Sequence, residues 1–260
     1  MRIVVCIKEV PDTTEVKIDT ETGTLIRQGI PSILNPFDMY ALEIALEIKD
    51  DNPATEVIVL SMGPPNAEKN LRDTIAMGAD AVYLVTDRAF AGADTWATSY
   101  TLSTAIKYIG DVDIIFTGKQ AIDGDTAQTG PGIAEWLDLP QVTFAKKIHK
   151  LGDNRMTVER STETGYELVE VELPAVITVV KGDKDPRLPS LRGMMKAKKS
   201  SINKLTVKDL PVDEENIGLS GSPTKVHKVF TPPKRKSGEI WEGEPEQLVE
   251  KLLAEIEDII

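Results

Sequence analysis

Cysteine is almost absent from this sequence: Cys6 stands alone among 260 residues, so no internal disulfide can form and a reducing compartment is the expected setting. Histidine is nearly as scarce. His149 and His227 are the only two, and with one cysteine they make no cluster at metal-ligand spacing, which argues against a Cys/His metal centre. Positive charge is also in short supply, 30 Lys and Arg against 42 Asp and Glu, for a formal net charge of -12. That excludes a nucleic-acid surface, because a phosphate backbone needs a cationic face to displace its counterions. No stretch reaches the roughly 18 consecutive apolar residues of a membrane span. The chain enters a strand-like run, Arg2-Ile3-Val4-Val5-Cys6-Ile7, within a few residues, so the expectation is a cytoplasmic protein without signal peptide or membrane insertion.

What is present is 41% hydrophobic residues, enough for one large core and a smaller appendage. Up to about residue 138, short β-branched runs alternate with amphipathic segments: strands at 2–8, 56–61, 81–85 and 113–117, helices at 36–49, 66–77, 94–109 and about 125–138. This predicts an α/β fold with a parallel sheet. The first helix is punctuated by Asn35 as N-cap, Pro36 at the first helical position and Asp38 in the first turn. Beyond 140, runs at 156–160, 166–173 and 175–180 read as antiparallel strands added to the sheet. Lys181 to Lys199 is polar and turn-rich, with no core element. The stretch 211–245, which includes Gly221-Ser222-Pro223 and Pro232-Pro233, reads as an extended arm. A closing helix carries Leu248, Val249, Leu252, Leu253, Ile256, Ile259 and Ile260 on one stripe, which needs a partner surface.

The segment Gly118-Lys119-Gln120-Ala121-Ile122-Asp123-Gly124-Asp125-Thr126-Ala127-Gln128-Thr129-Gly130-Pro131 leaves the carboxyl end of a strand and leads into a helix, where an open α/β sheet binds nucleotides. Its glycines and free N–H groups suit a phosphate, but it has neither the spaced-glycine dinucleotide fingerprint nor a P-loop ending. An ordinary strand-to-helix connection uses the same residue types, and spacing does not decide between the two. Asp123 and Asp125 alone make a poor metal cage, and without a neighbouring histidine or nucleophile they give no acid–base pair. Ser61-Met62-Gly63-Pro64-Pro65 closes another strand, so Met62 falls on the same edge. Cys6 reads as a small buried hydrophobe whose backbone could edge a ligand, and Phe37 as either core or a stacking surface. Arg192, Lys196, Lys198 and Lys199 form either a solvated face or a docking surface, and apolar Leu191 beside them favours docking.

These residues together resemble the β subunit of the electron-transfer flavoproteins over essentially the whole chain. The resemblance rests on Val5-Cys6-Ile7-Lys8, Asn35-Pro36-Phe37-Asp38, Leu60-Ser61-Met62-Gly63-Pro64, Ala76-Met77-Gly78-Ala79-Asp80, Gly118 through Gly130, Leu173-Pro174-Ala175-Val176 and Met195-Lys196-Ala197-Lys198-Lys199. It implies an adenine-nucleotide-binding α/β domain over 1–210, with a recognition loop at about 183–200, and an arm and helix over 211–260 that pack on an α subunit as an obligate heterodimer. It further implies a nucleotide held at Cys6, at Asn35, Pro36, Phe37 and Asp38, at Met62, and at Gly118 to Thr129. Leu191, with Arg192, Met195, Lys196 and Lys199, would dock a partner dehydrogenase.

In conventional members the nucleotide is AMP. In bifurcating members it is FAD, which oxidises NADH and divides the electron pair between ferredoxin or flavodoxin and the α-subunit FAD, and thence an acyl-CoA or 2-hydroxyacid dehydrogenase of anaerobic metabolism. The chain is more similar to the bifurcating group at Gly124, Thr126-Ala127 and Gly130-Pro131, at Ser190-Leu191-Arg192-Gly193 and at Gly221-Ser222-Pro223-Thr224. On this reading it is a redox flavoprotein subunit with no catalytic side chain of its own. It departs from conventional members near Thr13, where they place an aromatic against the α-subunit flavin.

Overall fold

The computed structural model describes residues 1–12, 31–227 and 238–257. Its elements are β1 (Arg2–Cys6), β2 (Glu9–Pro11), β3 (Ser32–Leu34), α1 (Pro36–Asp51), β4 (Glu56–Met62), α2 (Glu68–Met77), β5 (Ala81–Val85), α3 (Thr95–Ile109), β6 (Ile114–Gly118) and α4 (Thr129–Leu137). They continue as β7 (Gln141–Leu151), β8 (Arg155–Ser161), β9 (Tyr166–Glu172), β10 (Ala175–Val179), α5 (Leu191–Lys199), β11 (Asn203–Leu205) and α6 (Pro245–Ile256). The main sheet has the order β11-β5-β4-β1-β6-β10-β7-β8-β9.

All pairings from β11 through β7 are parallel, and only β7–β8 and β8–β9 are antiparallel. Ile3, Val5 and Ile7 bury one face of the sheet against the apolar sides of α1 and α2. Val4 and Cys6 bury the other with Leu102 and Ile106 of α3 and Ile133 of α4. The chain runs outward from β1 to β4 and β5, then returns to add β6 on the other side of β1. That reversal opens a crevice at the carboxyl ends of the strands, as in other doubly wound sheets.

The structure departs from the sequence expectations in four places. The run 175–180 is a parallel strand, inserted between β6 and β7, and all five residues of β10 are buried. A continuous apolar run is the mark of a strand covered on both faces, whereas alternation marks one face in water. Second, β7 carries no expectation in the sequence because it is composite. Its first part pairs in parallel with β10 and buries Val142, and past a bulge at Phe144 it becomes a largely exposed strand rich in lysine. Phe144 takes a φ of 60° there, and its N–H donates to Thr178 Oγ1 at 3.0 Å.

Third, the turn-rich stretch to Lys199 contains a helix, α5. Ser190 Oγ accepts from Gly193 N at 2.9 Å as its cap, and Ala197 is buried. Fourth, the stretch expected as an arm from 211 packs against the body as far as Thr224. Leu210 and Ile217 are core residues on either side of a short 3-10 turn, and Leu219 N donates to Ala91 O at 3.1 Å. The expected residues Pro232, Pro233, Ile259 and Ile260 lie outside the described residues, as does Thr13.

The end of this packed stretch is tied to the N-terminus of α3. Asp94 caps α3 by accepting from Ala97 N at 3.1 Å, and its other oxygen accepts from Thr224 N at 2.9 Å and Thr224 Oγ1 at 2.7 Å. Partial burial pushes the Asp94 carboxyl upward, but these bonds outweigh it and hold the group below its ordinary range. The anchor is therefore intact at neutral pH and lost only in acid. Asp94→Ala removes cap and anchor together, an expected loss of about 2 kcal/mol, of which the cap alone is about 1. Limited proteolysis checks it: cleavage should move to residues 218–227, and an unchanged pattern would deny the anchor.

No described helix is long and apolar enough to cross a membrane. On α6, Val249, Leu252 and Leu253 are each at least half exposed, so its apolar stripe is uncovered among the described residues.

Candidate functional site

Three chain segments meet where the crevice opens: the exit of β1 at Lys8, the entry to α1 at Asn35 to Asp38, and the exit of β6 at Gly118. Asn35 precedes α1 as expected, but its side chain makes no cap. Instead Nδ2 donates to Gln120 O at 2.8 Å and Oδ1 accepts from Ile122 N at 3.2 Å, fixing the loop after β6. Its own N–H donates to Lys8 O at 2.8 Å. An amide can both donate and accept, and so can bridge two backbones that a carboxylate could not.

Asp38 is buried beneath this junction. One carboxylate oxygen accepts from Lys8 N at 2.7 Å and the other from Gly118 N at 3.0 Å. Burial pushes the acid up to about 7, against the opposing pull of those bonds and of the Lys8 charge. Gly118 must be glycine here, since a Cβ would overlap Asp38 Oδ1 and lie 2.7 Å from Asp38 N and Phe37 C. Cys6 is buried at the end of β1, and burial first, then Asp38, pushes its thiol far above the usual range, so it is no nucleophile.

The expected helix start at about 125 is in fact at Thr129, because the loop spends Asp125 and Ala127 in left-handed conformations, φ 57° and 54°. Left-handed Ala127 is followed by right-handed Gln128, an alternation that turns successive N–H groups toward one concavity. The N–H groups of Thr126, Ala127 and Gln128 donate to no acceptor among the described residues. Lys8 Nζ pairs with Asp123 at 2.6 Å, Gln120 Nε2 bonds Asp125, and Lys119 Nζ lies 5.1 Å from the centroid of the half-buried Phe37 ring. Met62 is half-buried at the end of β4. Beside it the Ser61 hydroxyl is buried without a partner among the described residues.

This donor set fits a nucleotide: unpaired N–H groups for phosphate, an orphaned hydroxyl at the same edge, and no crowding at Gly124, where a Cβ would meet nothing within 4 Å. Gly130 is different. Its Cβ would strike Thr178 Cγ2 at 2.5 Å and Thr117 Oγ1 at 2.8 Å, so helix–sheet packing accounts for its size. Among the described residues no cluster of histidine, cysteine and carboxylates could hold a metal. Thr95 Oγ1 donates to Gln128 Oε1 at 3.4 Å, which links the loop to the α3 terminus that anchors Ser222 and Thr224. The sequence reading missed Lys8, Ser61 and Thr95. An orphaned or bridging group is a tertiary fact, and no local pattern announces it.

The residues expected to dock a partner are brought together on α5, away from the cradle. Leu191 is 79% exposed and Met195 one turn later 61%, with Arg192, Lys196 and Lys199 also exposed. A 470 Å³ depression between β3, α1, α2 and residues 186–189 opens just ahead of this helix and takes in Pro36, but none of the residues after Gly118 in the cradle loop.

Comparison with known proteins adds a family. A model described as "Electron transfer flavoprotein domain" matches residues 22–210. The chain is 54% identical to the caffeyl-CoA reductase-Etf complex subunit CarD of Acetobacterium woodii, covering 94% of this chain and 92% of that one. It is 48% identical to the electron transfer flavoprotein subunit beta of Megasphaera elsdenii, over 98% and 99%. It is 47% identical to protein FixA of Sinorhizobium fredii, over 91% and 85%.

Proposed function

The chain belongs to the electron transfer flavoprotein family as a β subunit, and from that premise we propose that it serves an electron-bifurcating member, holding FAD in the cradle at the carboxyl ends of β1, β4 and β6. The observation that carries this reading is the loop from Gly118 to Thr129, with three N–H groups unpartnered among the described residues beside open space at Gly124. FAD bound there supplies the two-electron chemistry: oxidation of NADH, with the pair divided between ferredoxin or flavodoxin and the flavin of the α subunit.

The protein's own residues bind and orient. Thr126, Ala127 and Gln128 offer N–H groups to the pyrophosphate, Asn35 holds the loop that presents them, and Lys119 and Phe37 form an edge for a ring. Residues 1–210 carry this site, and the chain beyond Thr224, with the uncovered stripe of α6, engages the α subunit. The setting is cytoplasmic. The name of its relative CarD, a subunit of a caffeyl-CoA reductase-Etf complex, supports a partner that acts on CoA esters.

One observation favours a second reading, a conventional subunit holding structural AMP: the small size of Gly130 is accounted for by packing and leaves no extra room. Nucleotide content separates the two. The heterodimer purified with its α chain should release two FAD and no AMP on acid treatment; one FAD with one AMP would refute the bifurcating reading.

Docking on α5 has its own test. Leu191 touches little of its own chain, so Leu191→Ala should leave stability within about 0.5 kcal/mol. As an interface anchor its loss should slow electron transfer to the dehydrogenase about tenfold or more. A change in flavin content instead would contradict the assignment.

A further inference from the structure

We propose that Asp38 is a positioning residue whose ionised carboxylate ties the two walls of the nucleotide cradle together, so that the cofactor is held tightly while Asp38 is ionised and loosely once it is protonated. The inference rests on the nucleotide reading above and goes beyond it by making retention depend on one proton. The cradle has two walls, the exit of β1 and the exit of β6, and neither Lys8 N nor Gly118 N is bound by a sheet partner at this point. Each donates to a separate oxygen of Asp38, at 2.7 and 3.0 Å, from the first turn of α1. Only the ionised form presents two charged acceptors. Once protonated, one oxygen becomes a hydroxyl, a weaker and uncharged acceptor, and the tie from the N–H of one wall loses charge assistance and weakens.

That wall bears directly on the loop. Gly118 leads straight into Lys119 and Gln120, and Asn35, three residues before Asp38, grips Gln120 O and Ile122 N. The groups that face Asp38 leave its proton as the variable one. From β1 the Cys6 thiol stays protonated by burial, and the Lys8 ammonium beyond it is paired with Asp123 of the loop. From the entry to α1 Asn35 is neutral, and from β6 Gly118 contributes only its N–H. Burial of Asp38 brings its titration up to about 7, within the working range of a cell. The sign follows: binding that needs the ionised form strengthens as pH rises through about 7 and levels off above it.

The test uses the full heterodimer. FAD is the probe, because its pyrophosphate keeps its charge across the range. Retained flavin after dialysis, and its dissociation constant, are measured between pH 5.5 and 8.5. The wild-type chain should bind FAD about tenfold more weakly at pH 6 than at pH 8. Asp38→Asn, which offers one acceptor and an opposing NH2 group, should bind weakly and equally at both. In the nucleotide-free heterodimer, the protection of the Lys8 and Gly118 amides against hydrogen exchange, corrected for intrinsic rate, should fall below neutrality. A flat wild-type profile, or equal protection at pH 6 and 8, overturns the inference without recourse to any variant. Failure of the FAD reading looks different: one flavin and one AMP at pH 8. Retained AMP then reports the same cradle, with Asp38→Asn as the control for titration of the phosphate itself.

Discussion

Gly118→Ala is expected to empty the nucleotide site while the flavin of the α subunit stays bound. The added methyl would overlap Asp38 Oδ1 and lie 2.7 Å from Asp38 N and Phe37 C, which are backbone atoms in the first turn of α1. No rotamer change relieves that contact. Either α1 shifts away from the sheet, parting the two walls that Asp38 joins, or the end of β6 lifts and carries the loop to Thr129 with it. Overpacking of this kind costs about 1–3 kcal/mol, and here the loss falls on the geometry of the site. Nucleotide affinity should drop by about a hundredfold, and melting should move down by several degrees. Nucleotide released per heterodimer is the measurement, and full occupancy in the variant would mean that the cradle is not where the cofactor sits.

Gly193→Ala is the second large effect, and its direction runs against helix propensity. In an exposed helix the change should stabilise by about 1 kcal/mol. Gly193, however, lies with its Cα against the last turn of α2, where a Cβ would overlap Ala76 O and come within 2.9 Å of Ala76 Cα. The same carbonyl accepts from Ser190 N at 3.3 Å, so the start of α5 is seated on it. The methyl must unseat α5 and with it Leu191 and Met195. Transfer to the dehydrogenase should fall at least as far as in Leu191→Ala, nucleotide content should be unchanged, and stability should drop where propensity predicts a gain. A more stable variant with normal transfer would remove α5 from the docking surface.

How much of this was legible in the sequence depends on the range of the interaction that fixes each part. The parallel sheet, α1 with its Asn-Pro entry, and the edge shared by Cys6, Met62 and Gly118 follow from local periodicity and from the rule that open sheets bind ligands at strand carboxyl ends. The placement of β10 needed the distinction between a continuous and an alternating apolar run. In α5 the apolar residues at helical spacing, Leu191, Met194 and Met195, face outward rather than into a core, and the turn residues around them mask the helix. Only Ala197 is buried, and Gly193, which lowers helix propensity, is there for contact with Ala76. The stretch 211–224 reads as an arm because its glycines and prolines carry no periodicity. Gly218, at φ 58°, and Gly221 are used instead for close backbone approach to Ala89 and Asn216. Asn35 shows the limit most plainly, since its position predicts a helix cap while its side chain serves the loop after β6, 85 residues away in the sequence.

The central claim is that this β subunit holds a flavin that NADH reduces. An anaerobic titration of the heterodimer with NADH, followed by flavin absorbance, tests it most directly. The account predicts that both flavins bleach and that more than one equivalent of NADH is consumed per heterodimer. No bleaching, with AMP recovered from the same preparation, would contradict it.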